Sequence, residues 1–511
     1  MMGMRLSFRL AALIAVLAAV AALASGHLVA GLLDPAASPF LAVGNTAIDL
    51  SPTPLKEFAV RNFGTADKVV LLVGMAVVMV GFALLAGAVS RSKPGPGQVL
   101  IGLLGVVGLL AVGYRPTTSP LSQLAPLASV IVGVFVFRKL HERALDLVES
   151  EPEADGASRR TFLRSAVVVI AGAGVAGVGG QLIGASGNAE TSRASVGKLV
   201  PDVPAPPLPR GVDFSAEGSP TFLTGNSDFY RIDTALYVPR VRAEDWQLRI
   251  HGMVEREVFV RYDDIRKMKL IERPVTLTCV SNDVGGPYIS TSNFIGVPIR
   301  DFLLQAGVKP GADQVKQTSA DGWDCGTPTE ALLDEKRGAM LAIGMNGEPL
   351  PLEHGFPVRL VVPGLYGYVS ATKWLVDMEL TTWDGYDAYW VKKGWGKKGP
   401  IKTESRIDRP RSGQSVRAGR FTVAGAAWAQ PHGIDKVEVR LGGGDWQQAQ
   451  LSTEISGDVW RLWKADVDVP PGDHRVEVRA TDKTGYTQTQ QEAPVLPDGA
   501  TGWHTVSFSA A

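Results

Sequence analysis

Apolar residues run in long unbroken blocks through the first 190 positions, whereas after residue 220 they alternate with polar residues over short stretches. Crossing a hydrocarbon layer takes about 20 apolar residues in a helix. Blocks at 10–32, 69–89, 98–114, 121–137 and 166–186 reach or approach that length and predict five spanning helices. The third and fourth are short and carry Gly or Pro, so their limits are set only to within several residues, and a buried core helix is the alternative for either. Charges between the blocks give the expected orientation. Arg5 and Arg9 precede the first, Arg91 and Lys93 separate the second and third, and Arg138, Lys139, Arg143, Arg159, Arg160 and Arg164 lie between the fourth and fifth. By the positive-inside rule these flanks are cytoplasmic, which places the N-terminus inside and everything after residue 187 outside the cytoplasmic membrane. Lys56, Arg61 and Lys68, on the expected outer side, run against this pattern.

Ahead of the fifth block stands Ser158-Arg159-Arg160-Thr161-Phe162-Leu163-Arg164, followed by a Gly/Ala-rich run. This matches a twin-arginine export signal, with an ordinary basic stop as the bland alternative. That route carries folded proteins and suits a domain that takes up a cofactor before crossing. The expected organisation is a four-helix transmembrane region at 1–150, the arginine motif and fifth helix at 151–190, a Pro/Ser/Ala/Gly-rich tether at 191–220, and external domains at 221–400 and 401–511.

Within 221–400, short strands such as 246–251 and 275–279 and a helix at Ile299–Ala306 predict an α+β domain. One strand ends Val275-Thr276-Leu277-Thr278-Cys279 and leads through Asn282 into Gly285-Gly286. A thiolate on a rigid strand is a good soft-metal ligand, and the glycines let backbone approach a bulky group. A lone cysteine is more often a buried inert one. Farther on, His354, Arg359 and Lys373 flank glycine turns at Gly364 and Gly367, and their convergence would make an anion pocket suited to a phosphate. Taken singly, each reads as a solvated charge.

Composition narrows the classes. The chain has 511 residues, too many for one hydrophobic core. Lys plus Arg and Asp plus Glu both total 51, which gives no global drive toward nucleic acid. Two cysteines, Cys279 and Cys325, exclude a disulfide scaffold, a four-cysteine zinc site and an all-cysteine iron–sulfur cluster. Of the seven histidines only His27 lies in or near an apolar block, so a membrane haem with two histidine ligands from this chain is not expected.

Residues 246–383 together resemble the molybdopterin-binding domain of the sulfite oxidase family. The resemblance is carried by Trp246-Gln-Leu-Arg-Ile-His-Gly252, the Thr-Leu-Thr-Cys279-x-x-Asn282 strand, Gly296-Val-Pro-Ile, Met345-Asn-Gly-Glu-Pro-Leu-Pro351 and the 354–374 block. It implies a Mo-molybdopterin oxidoreductase with Cys279 as the protein's ligand to the metal. His354, Arg359 and Lys373 would hold the pterin and its phosphate, and Asn282, Gly367 and Ser370 would line it. Arg231, in Phe229-Tyr230-Arg231, matches a family arginine near the metal. The chain also departs from the family. Asp283-Val284 stand where sulfite-oxidising relatives carry arginines, and Trp395 aligns with their active-site tyrosine. Fewer guanidinium groups oppose a small dianion, so a neutral sulfoxide or N-oxide, free or on a larger molecule, is at least as well suited as sulfite. Lys392, Lys393, Lys397 and Lys398 would restore positive charge or stay solvated.

Runs at 420–428, 434–441, 446–451, 475–481 and 503–508 alternate between Gly, Pro and Asp turns, an antiparallel sandwich signal. They resemble the family's immunoglobulin-like dimerisation domain, which implies a homodimer by analogy. A separate membrane or extracytoplasmic redox partner is expected, and the transmembrane helices either anchor the chain or dock that partner. Two alternatives stay open: a Cys279–Cys325 disulfide that would abolish ligation, and a non-catalytic envelope protein keeping the fold without cofactor.

Overall fold

A computed structural model describes residues 5–63, 66–115, 119–149, 155–186 and 189–511, divided into two compact units. The first comprises Met1–Asn188 with Asp233–Pro239, the second Ala189–Ile232 with Arg240–Ala511.

In the first unit the helices are α1 (Phe8–Leu33), α2 (Pro39–Leu50), α3 (Thr53–Phe63), α4 (Asp67–Val89), α5 (Gly95–Tyr114), α6 (Leu124–Glu149) and α7 (Asp155–Ser186). Five segments, Phe8–Leu33, Asp67–Val89, Gly95–Tyr114, Pro120–Val148 and Arg159–Ile183, are long and apolar enough to cross a membrane. With no hydrophobic drive between helices in lipid, close backbone approach must hold them together. Small residues allow it here. A Cβ on Gly87 of α4 would lie 2.6 Å from the Ala11 carbonyl of α1, and one on Gly180 of α7 would lie 2.8 Å from the His27 carbonyl.

The connection expected as a loop at 33–68 holds α2 and α3, each too short to cross. Helix α6 continues past the apolar block because Glu142 pairs with Arg138 and Lys139 at helical spacing, 2.7 and 3.0 Å away. That extension brings in His141, which is buried with Nε2 2.5 Å from the Ser90 carbonyl. His27 is therefore not alone among the histidines in an apolar helix. The expected break near residue 150 lies outside the described residues.

The second unit begins with α8 (Ala189–Val196), followed by an extended stretch that is docked rather than a free tether. Leu199, Val212 and Phe214 are buried, and Val203 bridges to Ile271. The strands that follow are β1 (Gln247–Gly252), β2 (Val258–Arg261), β3 (Ile271–Thr278), β4 (Ile289–Pro298), β5 (Gln314–Ser319), β6 (Asp324–Pro328), β7 (Met340–Met345), β8 (Glu348–Pro349), β9 (Arg359–Val361) and β10 (Leu375–Thr381). One mixed sheet runs β2-β1-β10-β5-β6, and the other runs β3-β4-β7-β8 with β9 also on β7. This is the expected α+β domain, and the helix at Ile299–Ala306 falls where its periodicity puts it.

From β11 (Glu404–Arg409) onward, two largely antiparallel sheets, one with a parallel pair between Ser415–Val416 and Ser509–Ala510, form the all-β sandwich around Val423, Val437, Val439, Trp463, Val476, Val478 and Phe508. Strand β3 is an edge strand, and sandwich residues cover its open side. Thr276 N donates to the Asp458 carbonyl at 3.0 Å, Trp460 N donates to Thr276 Oγ1 at 2.8 Å, and Arg273 pairs with Asp458.

Candidate cofactor site

The last four residues of β3, Val275 to Thr278, are buried on both faces, so the strand is rigid where Cys279 leaves it. Cys279 N donates to the Tyr288 carbonyl at 3.0 Å and its own carbonyl accepts from Asn282 N at 3.1 Å. Asn282 then closes the loop, its Oδ1 accepting from Tyr288 N at 2.7 Å. Its Nδ2 is buried with no partner in the structure. Both cysteines are free thiols. Cys325 is buried between Thr372 Oγ1, 3.1 Å away, and Gln317 Oε1, 3.4 Å away, which removes the disulfide alternative. Burial pushes the Cys279 thiol up, so a cation must favour the thiolate if the sulfur is to ligate metal.

The cations expected from the sequence do converge. His354 is buried, its Nε2 lies 3.1 Å from the Asn226 carbonyl, and its ring meets Phe229 edge-on at 5.5 Å. Burial first, then the charges of Arg359, Lys373 and Arg231, hold its pKa down at about 4. Arg359 is 4% exposed and donates to the carbonyls of His354 at 3.1 Å and Ala371 at 3.3 Å. Burial lowers its pKa to about 10, and its Nε is buried with no partner in the structure. Lys373 Nζ lies 3.3 Å from the Glu353 carbonyl and 4.9 Å above the Trp374 ring. Gly355 makes this convergence possible. At φ 107° it sits where a Cβ would come within 3.0 Å of Lys373 Cα and 3.1 Å of Arg359 Cβ.

Tyr230 ties the cations to the thiol. Burial raises its pKa, as does the Cys279 charge, while Arg359 opposes them. Tyr366 is 1% exposed, with its pKa raised by burial, by Glu404 and, more weakly, by Cys279. The sequence reading missed both tyrosines as site residues. The aromatic next to Arg231 and the Tyr between Gly364 and Gly367 were the available signals. Gly367 is at the site, since a Cβ there would lie 3.6 Å from the Tyr230 hydroxyl and 3.7 Å from the Thr278 carbonyl. Ser370 is different: its hydroxyl is spent on the Leu365 and Tyr366 carbonyls at 2.9 and 3.0 Å. Asp283 is exposed. Trp395 is 5% exposed and its indole Nε1 is buried without a partner in the structure.

This arrangement is rich in donors and poor in acids. No carboxylate contributes to the Arg359 or His354 shifts, although a buried guanidinium ordinarily requires an anion. Among the described residues, no group of three or more His, Cys, Asp or Glu could hold a metal ion. A metal on Cys279 would therefore take most of its donors from outside these side chains, and an anionic ligand is what the cations and the orphaned Arg359 and Asn282 nitrogens fit.

Residues 235–390 match the family model described as oxidoreductase molybdopterin binding domain, and residues 399–509 match the Mo-co oxidoreductase dimerisation domain. Mitochondrial sulfite oxidase of Macaca fascicularis is 29% identical over 336 residues, covering 55% of this chain and 61% of that protein. Nitrate reductase [NADH] of Spinacia oleracea is 26% identical over 318 residues, covering 50% of this chain and 34% of that one. The sulfane dehydrogenase SoxCD from Paracoccus pantotrophus aligns with a TM-score of 0.49 and 23% identity over 57% of this chain and 82% of that one. The chain thus spans less than two thirds of the length of these curated relatives. With both domain models matched in order and a cysteine strand facing an anion-seeking cluster, the chain belongs to the sulfite oxidase family of molybdopterin-dependent oxidoreductases.

Proposed function

We propose that this protein is a membrane-anchored enzyme that transfers an oxygen atom in two-electron steps outside the cytoplasmic membrane, with Cys279 as the protein's ligand to molybdenum. One observation carries the reading: a free thiol at a strand end shares its surroundings, through Tyr230, with a buried guanidinium that has no carboxylate against it. The molybdenum cofactor, when bound, supplies the two-electron couple and the oxygen exchange. The protein's part is to bind, orient and set charge. Arg359 and Lys373 grip the pterin phosphate. His354, held neutral at pH 7 by burial and by the neighbouring cations, would help line the anion site and could accept a proton if a bound anion raised its pKa. Asn282 Nδ2 and the backbone at Gly367 would line the cofactor, whereas Ser370 holds the turn through the Leu365 and Tyr366 carbonyls.

Arg231, one of the charges that depress His354, is assigned to the substrate oxygen. The arginines that would grip a second sulfite oxygen are replaced by Asp283 and Val284, and Trp395 offers a neutral N–H donor. That set favours a sulfoxide or N-oxide over sulfite. Five apolar helices and the Arg159-Arg160 motif support export and anchoring, and the dimerisation-domain match supports a homodimer. The test is molybdenum content in the purified full-length protein and in Cys279→Ala, followed by turnover assays with sulfite, sulfoxides and N-oxides. Equal background metal in both proteins refutes the enzyme reading and leaves a cofactor-free envelope protein. Faster turnover of sulfite than of any sulfoxide or N-oxide refutes the substrate assignment.

A further inference from the structure

We propose that residues 383–398 form the docking face for a separate electron-transfer protein with an acidic surface, with Tyr389, Trp390, Trp395 and Tyr368 packed in series between that face and the Cys279 site. The proposal rests on the redox reading above and names the chemistry of the partner. Four lysines, Lys392, Lys393, Lys397 and Lys398, stand in this segment against two aspartates, Asp384 and Asp387. Lys392, Lys397 and Lys398 are exposed; Lys397 is paired with Asp387 at 2.8 Å and the neighbouring Lys316 with Glu379 at 3.3 Å, so Lys392 and Lys398 carry the exposed positive charge. The positive charge is set on aromatic rings: Lys316 and Lys392 lie 5.0 and 5.3 Å from the Tyr386 ring centre, and Lys393 lies 4.6 Å from that of Tyr389. The segment is also held in place. Tyr386 OH and Tyr389 N, the latter at 2.7 Å, both donate to Asp324 Oδ1, and Lys397 reaches the Trp383 carbonyl at 3.0 Å.

Behind this surface the rings touch in sequence. Tyr389 meets Trp390 at 5.0 Å between centroids, Trp390 meets Trp395 at 6.4 Å, and Trp395 meets Tyr368 at 6.0 Å. Tyr368 is 9% exposed and directly follows Gly367, whose backbone abuts the Thr278 carbonyl one residue before the proposed metal ligand. A path of packed rings, half-buried at Tyr389 and Trp390 and buried at Trp395 and Tyr368, therefore leads inward from the cationic surface to the residue after Gly367. A cationic rim steers an anionic partner, raising the encounter rate at low salt and losing the effect as ionic strength rises. Redox encounters use small, weak interfaces of this kind. Each two-electron turnover would then pass one electron to, or take one from, each of two partner molecules in succession.

The experiment uses the full-length, cofactor-loaded protein in detergent, pre-reduced and mixed with ferricytochrome c in stopped flow. The two probes are the native basic cytochrome and its succinylated, acidic form. A neutral quinone dye serves as the small-molecule acceptor. The succinylated form should be reduced at least about tenfold faster than the native form at low ionic strength, with the advantage vanishing at high salt. The triple variant Lys392→Glu/Lys393→Glu/Lys398→Glu should reverse that order, the corresponding Gln variants should only abolish it, and the dye rate should hold. Trp390→Leu should slow the saturated rate with the succinylated protein while sparing the dye. Faster reduction of native cytochrome by the wild type, or an order unchanged in the triple variant, overturns the docking face. Failure of the wild type to reduce the dye overturns the redox reading itself, and the proposal falls with it.

Discussion

Replacing Arg359 with Met should leave the apoprotein nearly as stable as wild type but sharply weaken cofactor binding. The guanidinium is 4% exposed, and its pKa falls from 12.5 to about 10. That drop of 2.5 units, at 1.36 kcal/mol each, means the empty pocket disfavours the charge by about 3 kcal/mol. Two hydrogen bonds to the His354 and Ala371 carbonyls, each contributing about 1.5 kcal/mol, offset roughly the whole of this. The apoprotein should therefore melt within a few degrees of wild type, despite losing a fully buried side chain. The loaded protein loses a charge-assisted grip on the phosphate, about 2–3 kcal/mol or roughly a hundredfold in cofactor affinity. Differential scanning fluorimetry of the apoprotein reads the first effect, and metal analysis with pterin fluorescence after acid release reads the second. Stoichiometric cofactor in Arg359→Met, or collapse of its apoprotein, would refute the assignment of this buried charge to an anion that arrives later.

His354 makes stability depend on pH. Its folded pKa of about 4 lies below the ordinary 6.5, so the unfolded chain binds a proton first. The contribution is fully present above pH 6.5 and is lost as pH falls toward 4. Denaturant titrations of the apoprotein should show a loss of about 3 kcal/mol across that window, absent in His354→Gln. Cys325→Ser should keep its molybdenum and cost only about 1 kcal/mol, since Thr372 and Gln317 can bond the new hydroxyl, and metal loss in that variant would contradict the separation of the two thiols. Gly180→Val puts a Cβ 2.8 Å from the His27 carbonyl and should destabilise the α1–α7 crossing by about 1–3 kcal/mol, read as a lower melting temperature in detergent; an unchanged melt would deny that close crossing.

The sequence made the site legible where one signal sufficed. The β-branched run into Cys279 announces a strand, and His354, Arg359 and Lys373 stood out by residue type, whereas Gly355, the glycine that lets Arg359 and Lys373 come together, did not. Strand β11 was not legible. Glu404-Ser405-Arg406-Ile407-Asp408-Arg409 looks like solvated chain, yet Glu404 and Arg406 are buried. Arg406 donates to the Gly286 carbonyl at 2.9 Å, and burial lifts Glu404 to about 8. Tertiary contacts decided that strand, and no local pattern encodes them. Tyr230 and Tyr366 were missed for a related reason, since an aromatic beside an arginine or between glycines is ordinarily packing. The tether was misjudged because its Pro-rich composition fits a docked extended chain as well as a loose one.

The covering of β3 by the sandwich has an architectural consequence. An uncapped edge strand invites pairing with other chains, and this edge ends in the cysteine that the proposed chemistry needs. The carboxy-terminal domain thus cannot be pruned as a mere oligomerisation accessory. A shortened protein ending near residue 400 would expose the Thr276 amide and strand Arg273 without its acid, so its first casualty would be solubility and its second the alignment of the sulfur. Two domains that look modular in sequence must be inherited and expressed as one.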